Sequence, residues 1–399
     1  MMPSISTSFA AALSLSAVFA RAAPQPQQQQ QPSVDNSWAE PAASTVVAAV
    51  SSVVTSAISS ASTVASSISS DTACNNSPAL CSQAYNNITH MGAHNSAFVR
   101  AGDNTNNAGS NQYYDAVAAL NYGLRLLQVQ VHSETTGLHM CHSSCSLFDA
   151  GLLSDWLADI AGWIDDNAND VVTILLVNSD EADISEFASA FETAGLAKYG
   201  YVPESTNATS EWPTLESMIS AGSRMVSFIT NISANSSYTY LLPEFDYMFE
   251  TAYEITSLSG FNSSLDRPGR LGTATEAVSS SYMGLVNHML GSTITASIYV
   301  PDLDAIDMTN SVGTTEGSAL GTHVNACISD WAVKPNFVLV DYWNKGDVMA
   351  VADAANGLSS SDVSGRTSPD EDSAGSVIGG GCGLLTWVFA LAVGVVVIA

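Results

Sequence analysis

The sequence is poor in charged residues, and above all in basic ones. Lysine and arginine together number 10 in 399 residues, against 38 aspartates and glutamates, which gives a formal net charge of −28. A nucleic-acid-binding protein needs clustered basic side chains that displace counterions from phosphates, so we expect no nucleic-acid partner. Apolar residues make up 46% of the chain. That share is ample for a hydrophobic core and excludes a fully disordered protein.

The apolar run at the amino terminus is too short to cross a bilayer. It is followed by Ala20-Arg21-Ala22, which has the small-x-small pattern of a signal-peptidase site. We therefore predict a cleaved secretory signal over residues 1–22, with a buried helix as the alternative. Residues 23–70 are first Pro- and Gln-rich and then almost entirely Ser, Ala, Thr and Val. This composition is typical of an O-glycosylated stalk in a secreted protein, although the Val and Ala content leaves a helix possible.

The carboxyl terminus has the pattern of a GPI-attachment signal. Leu384–Ala399 is nearly all apolar, and small and polar residues precede it. A membrane-spanning helix would need about 20 residues and usually has basic flanks, so it is the less favoured alternative. Candidate attachment residues are Ser373, Ala374 and Gly375, with the later glycine run as a competitor. Residues 359–399 are therefore predicted to be a polar linker and an anchor signal. The mature protein is expected at the cell surface or in the cell wall, held to the plasma membrane by a GPI anchor.

Cysteines and sequons agree with secretion. Five cysteines remain once Cys382 is assigned to the anchor signal, and short spacings favour Cys74–Cys81 and Cys141–Cys145 disulfides, with Cys327 left as a buried thiol. A zinc site built from Cys141, Cys145 and a nearby histidine is the alternative. Six N-x-Ser/Thr sequons predict surface glycans. They lie at Asn75, Asn87, Asn207, Asn231, Asn235 and Asn262.

Residues 71–358 alternate strand-like and helix-like runs. Val171–Val177 and Phe337–Tyr342 are runs of strand length that are apolar apart from Thr173 and Asp341, whereas Leu152–Ile164 and Ala274–Leu290 have helical apolar spacing. This alternation predicts an α/β protein with a parallel sheet, and the length suits a TIM-type (β/α)₈ barrel. A doubly wound sheet is the alternative, weakened because no G-x-G-x-x-G follows the first predicted strand.

Polar residues fall at the carboxyl ends of the predicted strands, where a parallel barrel places its chemistry. They are His94, Asn95, Gln128, Gln130, His142, Asn178 and Asp341. Two imidazoles at one mouth suit acid–base chemistry, since one can take a proton from an attacking hydroxyl and the other can protonate the leaving oxygen. Cleavage of a phosphodiester is a reaction that needs such a pair, so His94 and His142 are the candidate catalytic residues. The other five are candidates for substrate binding.

The motifs around these residues resemble a known family. His94-Asn95-Ser96, Gly123-Leu124-Arg125-Leu126-Leu127-Gln128-Val129-Gln130 and Leu138-His139-Met140-Cys141-His142 look like the X region of phosphatidylinositol-specific phospholipases C. They look closer still to the fungal secreted phospholipase C-like phosphodiesterases. The resemblance implies a TIM-type barrel, His94 as general base and His142 as general acid. It also implies attack of the inositol 2-hydroxyl on phosphorus, on an inositol phospholipid, a GPI-type glycolipid or another phosphodiester.

The sequence departs from that family at the positions where its members carry charged metal ligands or a charged arginine. The calcium-dependent branch uses acidic ligands where Gln128, Gln130 and Asn178 stand here, and only Asn95 matches. Calcium is therefore possible, but the ligand set looks degraded, and we predict no cofactor. The metal-free branch has an arginine where Gln130 stands, so the sequence shows no evident cation to stabilise the transition state. A second hypothesis follows: a catalytically impaired barrel that serves as a cell-wall or head-group-binding surface protein.

Overall fold

A computed structural model describes residues 72–100, 109–295 and 298–369, all within the compact unit Ile68–Ala399. The predicted signal peptide, the stalk and the GPI-attachment signal lie outside these residues. Among the described helices, none is long and apolar enough to cross a membrane.

The described strands form one large sheet and one small hairpin. The strands, in chain order, are β1 (His90–Ala93), β2 (Leu126–Glu134), β3 (Gly137–Cys141), β4 (Asp149–Leu152), β5 (Val172–Asn178), β6 (Met225–Ile229), β7 (Leu241–Pro243), β8 (Met248–Glu250), β9 (Met283–His288), β10 (Gly291–Thr295), β11 (Ile298–Pro301) and β12 (Phe337–Val340). Strands β10 and β11 form the separate hairpin.

Helices connect most of the parallel strands. The α-helices, in chain order, are α1 (Ala116–Tyr122), α2 (Leu153–Asp166), α3 (Ile184–Thr193), α4 (Leu215–Ala221), α5 (Glu244–Tyr247), α6 (Ala274–Ser279), α7 (Ile306–Thr309), α8 (Leu320–Trp331) and α9 (Val348–Ala355). Short 3₁₀ turns occur at Pro78–Leu80, Tyr85–Asn87, Ala197–Tyr199, Gly269–Leu271 and Ser360–Asp362.

The strand order confirms the predicted (β/α)₈ barrel. Eight parallel strands follow one another as β7-β6-β5-β2-β1-β12-β9-β8. Neighbouring strands in this series are also consecutive parallel strands along the chain, and the first and last of them, β1 and β12, are neighbours too, as in a closed barrel. In a doubly wound sheet, by contrast, the strand order reverses at one point. Strands β7 and β8 end the hydrogen-bonded series, and the single helical turn α5 joins them directly. Strand β2 runs on beyond the barrel and pairs antiparallel with β3, which pairs with β4.

Side chains alternate between the two faces of the sheet and fill two separate cores. Met91, Val129 and Ile174 point outward and pack with the helices. Leu126, Leu175, Phe337 and other inward-facing side chains form a second cluster within the barrel. The same alternation turns His94, Gln128, Gln130 and Asp341 inward.

The helices begin and end as their sequences dictate. The α3 helix starts with a capping box, in which Asp183 and Glu186 each bond the other's backbone. The predicted helix Ala274–Leu290 is wrong: α6 ends at Ser279, and Ser281 has a left-handed φ of 66° before β9 begins. Strand β9 is buried at every position. An apolar run of that kind cannot be assigned to helix or strand from periodicity alone.

The predicted disulfides Cys74–Cys81 and Cys141–Cys145 are present, and Cys327 is a buried free thiol. Because both sulfurs of the second pair are bonded to each other, neither is a thiolate ligand for the alternative zinc site. Among the described residues, no group of three or more His, Cys, Asp or Glu side chains is placed to hold a metal ion.

The segment after Leu358, predicted to be a polar linker, is hydrogen-bonded to the barrel as far as it is described. Arg366 forms two hydrogen bonds with the Asp353 carboxylate, of 2.6 and 2.7 Å. The Thr367 N–H donates to the carbonyl of Asn121. These contacts fasten the segment near the amino end of β2, so the barrel unit extends past its predicted boundary.

The sequons differ in accessibility. Asn87, Asn207, Asn231 and Asn262 are exposed and Asn235 is half-buried. Asn75 is buried, and its Oδ1 accepts a hydrogen bond from the N–H of Val171 at 2.8 Å. The folded chain therefore leaves no space for a glycan at Asn75.

Candidate active site

His94 and Asp341 form a hydrogen-bonded pair at the carboxyl ends of neighbouring strands. His94 follows β1 and Asp341 follows β12, and the two strands are in parallel register. Nδ1 of His94 lies 2.8 Å from Oδ1 of Asp341. Since an ionised carboxylate only accepts, the imidazole proton sits on Nδ1 and leaves Nε2 as a base.

Amide side chains hold this pair in place. Nδ2 of Asn111 donates to the same Asp341 oxygen at 2.9 Å. Nε2 of Gln112 donates to the backbone carbonyls of His94 and Val340, at 2.6 and 3.2 Å. The ring and its carboxylate are therefore fixed from both strands, as acid–base catalysis requires.

The backbone is strained directly after both members of the pair. Asn95 has a φ of 47° and Tyr342 a φ of 44°, both in the left-handed region. Residues other than glycine adopt this backbone conformation at a cost of about 1 to 3 kcal/mol, and such strain clusters at functional sites. Asn95 itself is buried, and its Nδ2 donates to Oδ1 of Asn111 at 3.2 Å.

The carboxamide oxygens of the two glutamines on β2 are engaged by the backbone of neighbouring loops. Oε1 of Gln128 accepts from the N–H of Asn95 at 2.7 Å, and Oε1 of Gln130 accepts from the N–H of Ser143 at 3.0 Å. Both glutamines also line the cavity described below. They thus serve first as supports of the loops on which the site is built.

Asn178 lies on the other face of its strand. Its side chain closes a local loop, because Oδ1 accepts from the N–H of Ala182 and Nδ2 donates to the carbonyl of the same residue. The neighbouring β5 residues Leu175 and Val177 line the cavity, whereas Asn178 is not among the lining residues. The structure thus separates Asn178 from the other predicted binding residues, because alternation along β5 turns it outward.

These residues do not fit a calcium ion. Calcium takes six to eight oxygen ligands, usually with several carboxylates among them. Here both glutamine oxygens accept backbone N–H groups and Asn178 points away. The buried Oδ1 of Asn95, which has no hydrogen-bond partner among the described residues, is one neutral oxygen. We therefore derive no step through calcium.

His142 packs beside the pair rather than in the open cavity. Its ring meets the Phe98 ring at a right angle, with 5.2 Å between centroids. Burial, together with the neighbouring His94, lowers the pKa of His142 from 6.5 to about 4, against a smaller opposing effect of Asp341. At neutral pH this imidazole is therefore mostly uncharged.

A cavity of about 420 Å³ opens above His94. On the wall opposite β2 it is lined by Glu250, Tyr253, Arg267 and Asn287. Among the described residues, Arg267 is the only Lys or Arg that lines it. The cation that the motifs on β2 lack is thus supplied by Arg267, in the connection between β8 and α6.

Arg267 is held in place by an acid and an aromatic ring. Its Nη2 lies 2.5 Å from Oε2 of Glu250, which also accepts from Nδ2 of Asn287 at 3.1 Å. The guanidinium lies 4.5 Å from the centre of the Tyr253 ring. Its Nε is buried without a hydrogen-bond partner in the described part of the chain. Nothing in the sequence spacing links Arg267 to His94.

Comparison with known proteins agrees with this architecture. The family model PI-PLC X matches residues 80–356. The PI-PLC X domain-containing protein 1 of Arthroderma benhamiae is 37% identical over 291 residues, which cover 72% of this chain and 90% of that protein. An uncharacterized secreted protein of the same organism is 37% identical over 279 residues, and the match covers 69% of this chain but only 61% of that protein.

The solved structure of phosphatidylinositol-specific phospholipase C from Listeria monocytogenes is also similar. It is 13% identical, with a TM-score of 0.48, and the match covers 72% of this chain and all of that one. The family-model match spans more than half of the sequence and the curated relative is matched over nearly its whole length, so the chain belongs to the PI-PLC X family.

Proposed function

We propose that this protein is a secreted phosphodiesterase that cleaves an inositol phospholipid, a GPI-type glycolipid or a related phosphodiester. One observation carries the proposal: a single cavity is bordered by an Asp-bound histidine base and by an arginine. The first can activate a hydroxyl, and the second can stabilise negative charge on phosphorus as it develops.

In the proposed reaction, Nε2 of His94 takes the proton of the substrate hydroxyl next to the phosphate. The oxygen attacks phosphorus, the bond to the leaving oxygen breaks with its electron pair, and a cyclic phosphate forms. Asp341 stabilises the resulting imidazolium, and Arg267 faces the charged phosphate oxygens. No metal ion takes part.

His142 is the proposed donor of the proton to the leaving oxygen. Because burial holds its pKa at about 4, only a small fraction carries that proton at neutral pH. We therefore expect the rate to be highest on the acid side of neutrality.

Localisation is part of the proposal. The predicted signal sequence, the two disulfides and the name of one relative as a secreted protein all support export. The apolar carboxyl terminus supports a GPI anchor at the plasma membrane.

A second candidate function is a non-catalytic surface protein that binds a sugar or phosphate head group. It is favoured by the replacement of acidic and basic positions on β2 by Gln128 and Gln130, and by the uncharged state of His142. The same cavity would then hold a ligand without cleaving it.

The test is release of cyclic phosphate from a soluble inositol phosphodiester, with calcium and with chelator, at pH 5 and 7. We expect the wild-type protein to release cyclic phosphate both with calcium and with chelator. The His94→Gln variant should release it at least 100-fold more slowly. Binding of inositol phosphate without any release would contradict catalysis and support the second candidate. Release only with calcium would contradict the metal-free mechanism.

A further inference from the structure

A second carboxyl group lies behind the ion pair of Glu250 and Arg267. Glu244 is the first residue of α5, the single turn that joins β7 to β8, and its side chain is buried. The Glu244 carboxyl contacts that of Glu250, which lines the cavity and binds Arg267. The proposed reaction assigns no part to Glu244.

The surroundings of Glu244 do not suit an ionised carboxylate. Both of its oxygens are buried, and no N–H or O–H group among the described residues donates to either of them. An ionised carboxylate in this position would lose its water without gaining hydrogen bonds, so it would be strongly unfavourable. A buried carboxyl in such surroundings takes up a proton instead.

The contact between the two glutamates identifies which of them carries the proton. Two ionised carboxylates only accept, so a hydrogen bond between them requires a proton on one of the two. Glu250 is the ionised member, because its Oε2 already accepts from Arg267 and Asn287. Burial, followed by the negative charge of Glu250, raises the pKa of Glu244 well above its usual value, against a smaller opposing effect of Arg267. Glu244 is therefore the donor and Glu250 the acceptor.

Arg267 depends on the orientation of Glu250. In the described part of the chain, Glu250 is the only side chain to which the guanidinium donates a hydrogen bond, and Nε of Arg267 has no partner. A carboxylate that is held by Glu244 on one side and by Asn287 on the other cannot turn freely. The guanidinium is thereby kept in one place, as stabilisation of a developing charge requires.

The proton on Glu244 also sets the charge beside the phosphate. Glu250 and Arg267 are the charged groups that face Glu244 in the residues that the structure describes. With Glu244 neutral, the charges of Glu250 and Arg267 cancel. With both glutamates ionised, the group would carry an excess negative charge, which would repel a phosphate in surroundings that screen charge poorly.

We propose that Glu244 is a positioning residue: its protonated carboxyl donates a hydrogen bond that holds the Glu250 carboxylate, and through it Arg267, in place to face the phosphate. This inference rests on the proposed function, because it concerns the cation of that reaction. Glu244 lines no part of the cavity, so its effect passes through Glu250.

The proton itself is tested by infrared spectroscopy of the mature protein in deuterated buffer at neutral pH. We expect the wild-type protein to show the carbonyl stretching band of a protonated carboxylic acid, and Glu244→Gln to lose it. Glu254→Gln alters an exposed glutamate shortly after β8 and should keep the band, which makes it the matched control. A wild-type spectrum without the band, or a band that survives in Glu244→Gln, would overturn the proposal.

The positioning role is tested by the rate of cyclic phosphate release. Glu244→Met keeps the length of the side chain but cannot donate, so we expect kcat to fall about tenfold, the value of one good hydrogen bond. Glu244→Gln keeps both a donor and the neutral charge, and its kcat should stay within about twofold of the wild-type value. Glu244→Leu replaces the Met variant if that variant does not fold.

A side chain that only fills space would not distinguish methionine from glutamine. Wild-type rates in Glu244→Met, or equal losses in the Met and Gln variants, would therefore overturn the positioning role. If the wild-type protein releases no cyclic phosphate, the proposed function fails and the role of Glu244 in catalysis fails with it. The infrared band reports separately whether Glu244 and Glu250 share a proton.

Discussion

The Asp341 carboxylate receives a hydrogen bond from the His94 ring at 2.8 Å across 247 residues of sequence. The two side chains meet because β1 and β12 are neighbours in the cyclic strand order, with Ala93 opposite Val340. Closing the barrel thus brings together the first and last of its eight strands, and with them a base and the group that orients it.

Removing the charge of Asp341 should impair catalysis without unfolding the protein. In Asp341→Asn the new amide cannot stabilise an imidazolium, so we expect a loss of about 100-fold or more in kcat with little change in KM. Cyclic phosphate release measures this. Asp149→Asn alters a similar pair outside the cavity and should keep wild-type rates. A comparable loss in both variants would contradict a specific role for Asp341.

The positive charge of Arg267 should be needed for catalysis, because it stabilises the negative charge that develops on the phosphate oxygens. We expect Arg267→Gln to lose about 100-fold in kcat, because a preorganised cation is then missing from the cavity. Arg267→Lys should recover part of the loss, since it keeps the charge but not the planar group that stacks on Tyr253. Arg270→Gln, at a nearby exposed arginine, is the control and should be unchanged. An active Arg267→Gln protein would remove Arg267 from the mechanism.

The protein should lose stability as the pH falls from about 6.5 towards 4. Burial lowers the pKa of His90 to about 4 and that of His288 to about 3, so both stay uncharged in the folded chain while the unfolded chain takes up protons below pH 6.5. Stability therefore falls with pH through this window, by about 3 kcal/mol for His90 alone. The measurement is the urea midpoint at pH 7, 6, 5 and 4.

The control for this pH dependence is His90→Phe. The His90 ring stacks on the Phe337 ring and is tilted against the Tyr85 ring, so a phenyl ring should pack in its place while the titrating group is removed. The variant should show a shallower loss of stability between pH 6.5 and 4. An unchanged slope would show that His90 does not titrate in the way its burial implies.

Glycans should be attached at sequons whose asparagine is exposed, and not at every sequon in the sequence. Peptide mass spectrometry of secreted protein should find sugar at the exposed Asn207, Asn231 and Asn262, and none at Asn75. Asn262→Gln should remove the mass of one glycan. Asn75→Gln should leave the glycan mass unchanged and lower the melting temperature, because it disturbs the bond to Val171. A glycan found at Asn75 would contradict its buried position.

Much of the barrel could be predicted because its strands are short, apolar and separated by amphipathic helices. Strand β5, predicted as Val171–Val177, is observed as Val172–Asn178, and the helix predicted over Leu152–Ile164 is observed as α2, Leu153–Asp166. The short strands β7 and β8 have only three residues each and carry no periodic signal. The error at Ala274–Leu290 has a different origin: β9 is buried on both faces, so periodicity alone does not distinguish a strand from a helix there.

The candidate site was only partly predictable. His94 and Asp341 could be placed because each follows a strong strand and parallel strands share one end. Arg267 could not, since it lies in a long irregular connection between β8 and α6 whose path depends on tertiary packing. The outward turn of Asn178 depends on the register of β5 with its neighbouring strands, and a shift of one residue in that register exchanges the two faces of the strand.

The segment that leads towards the predicted anchor signal bears on where this protein can work. Arg366 and Thr367 are fastened beside Asp353 and Asn121, at the end of the barrel remote from His94. In the proposed arrangement, a lipid anchor attached downstream of Thr367 would join the domain at the end of the barrel opposite the reactive opening. Such a molecule would reach substrates on wall material or on an opposing surface more readily than lipids in the leaflet that carries it.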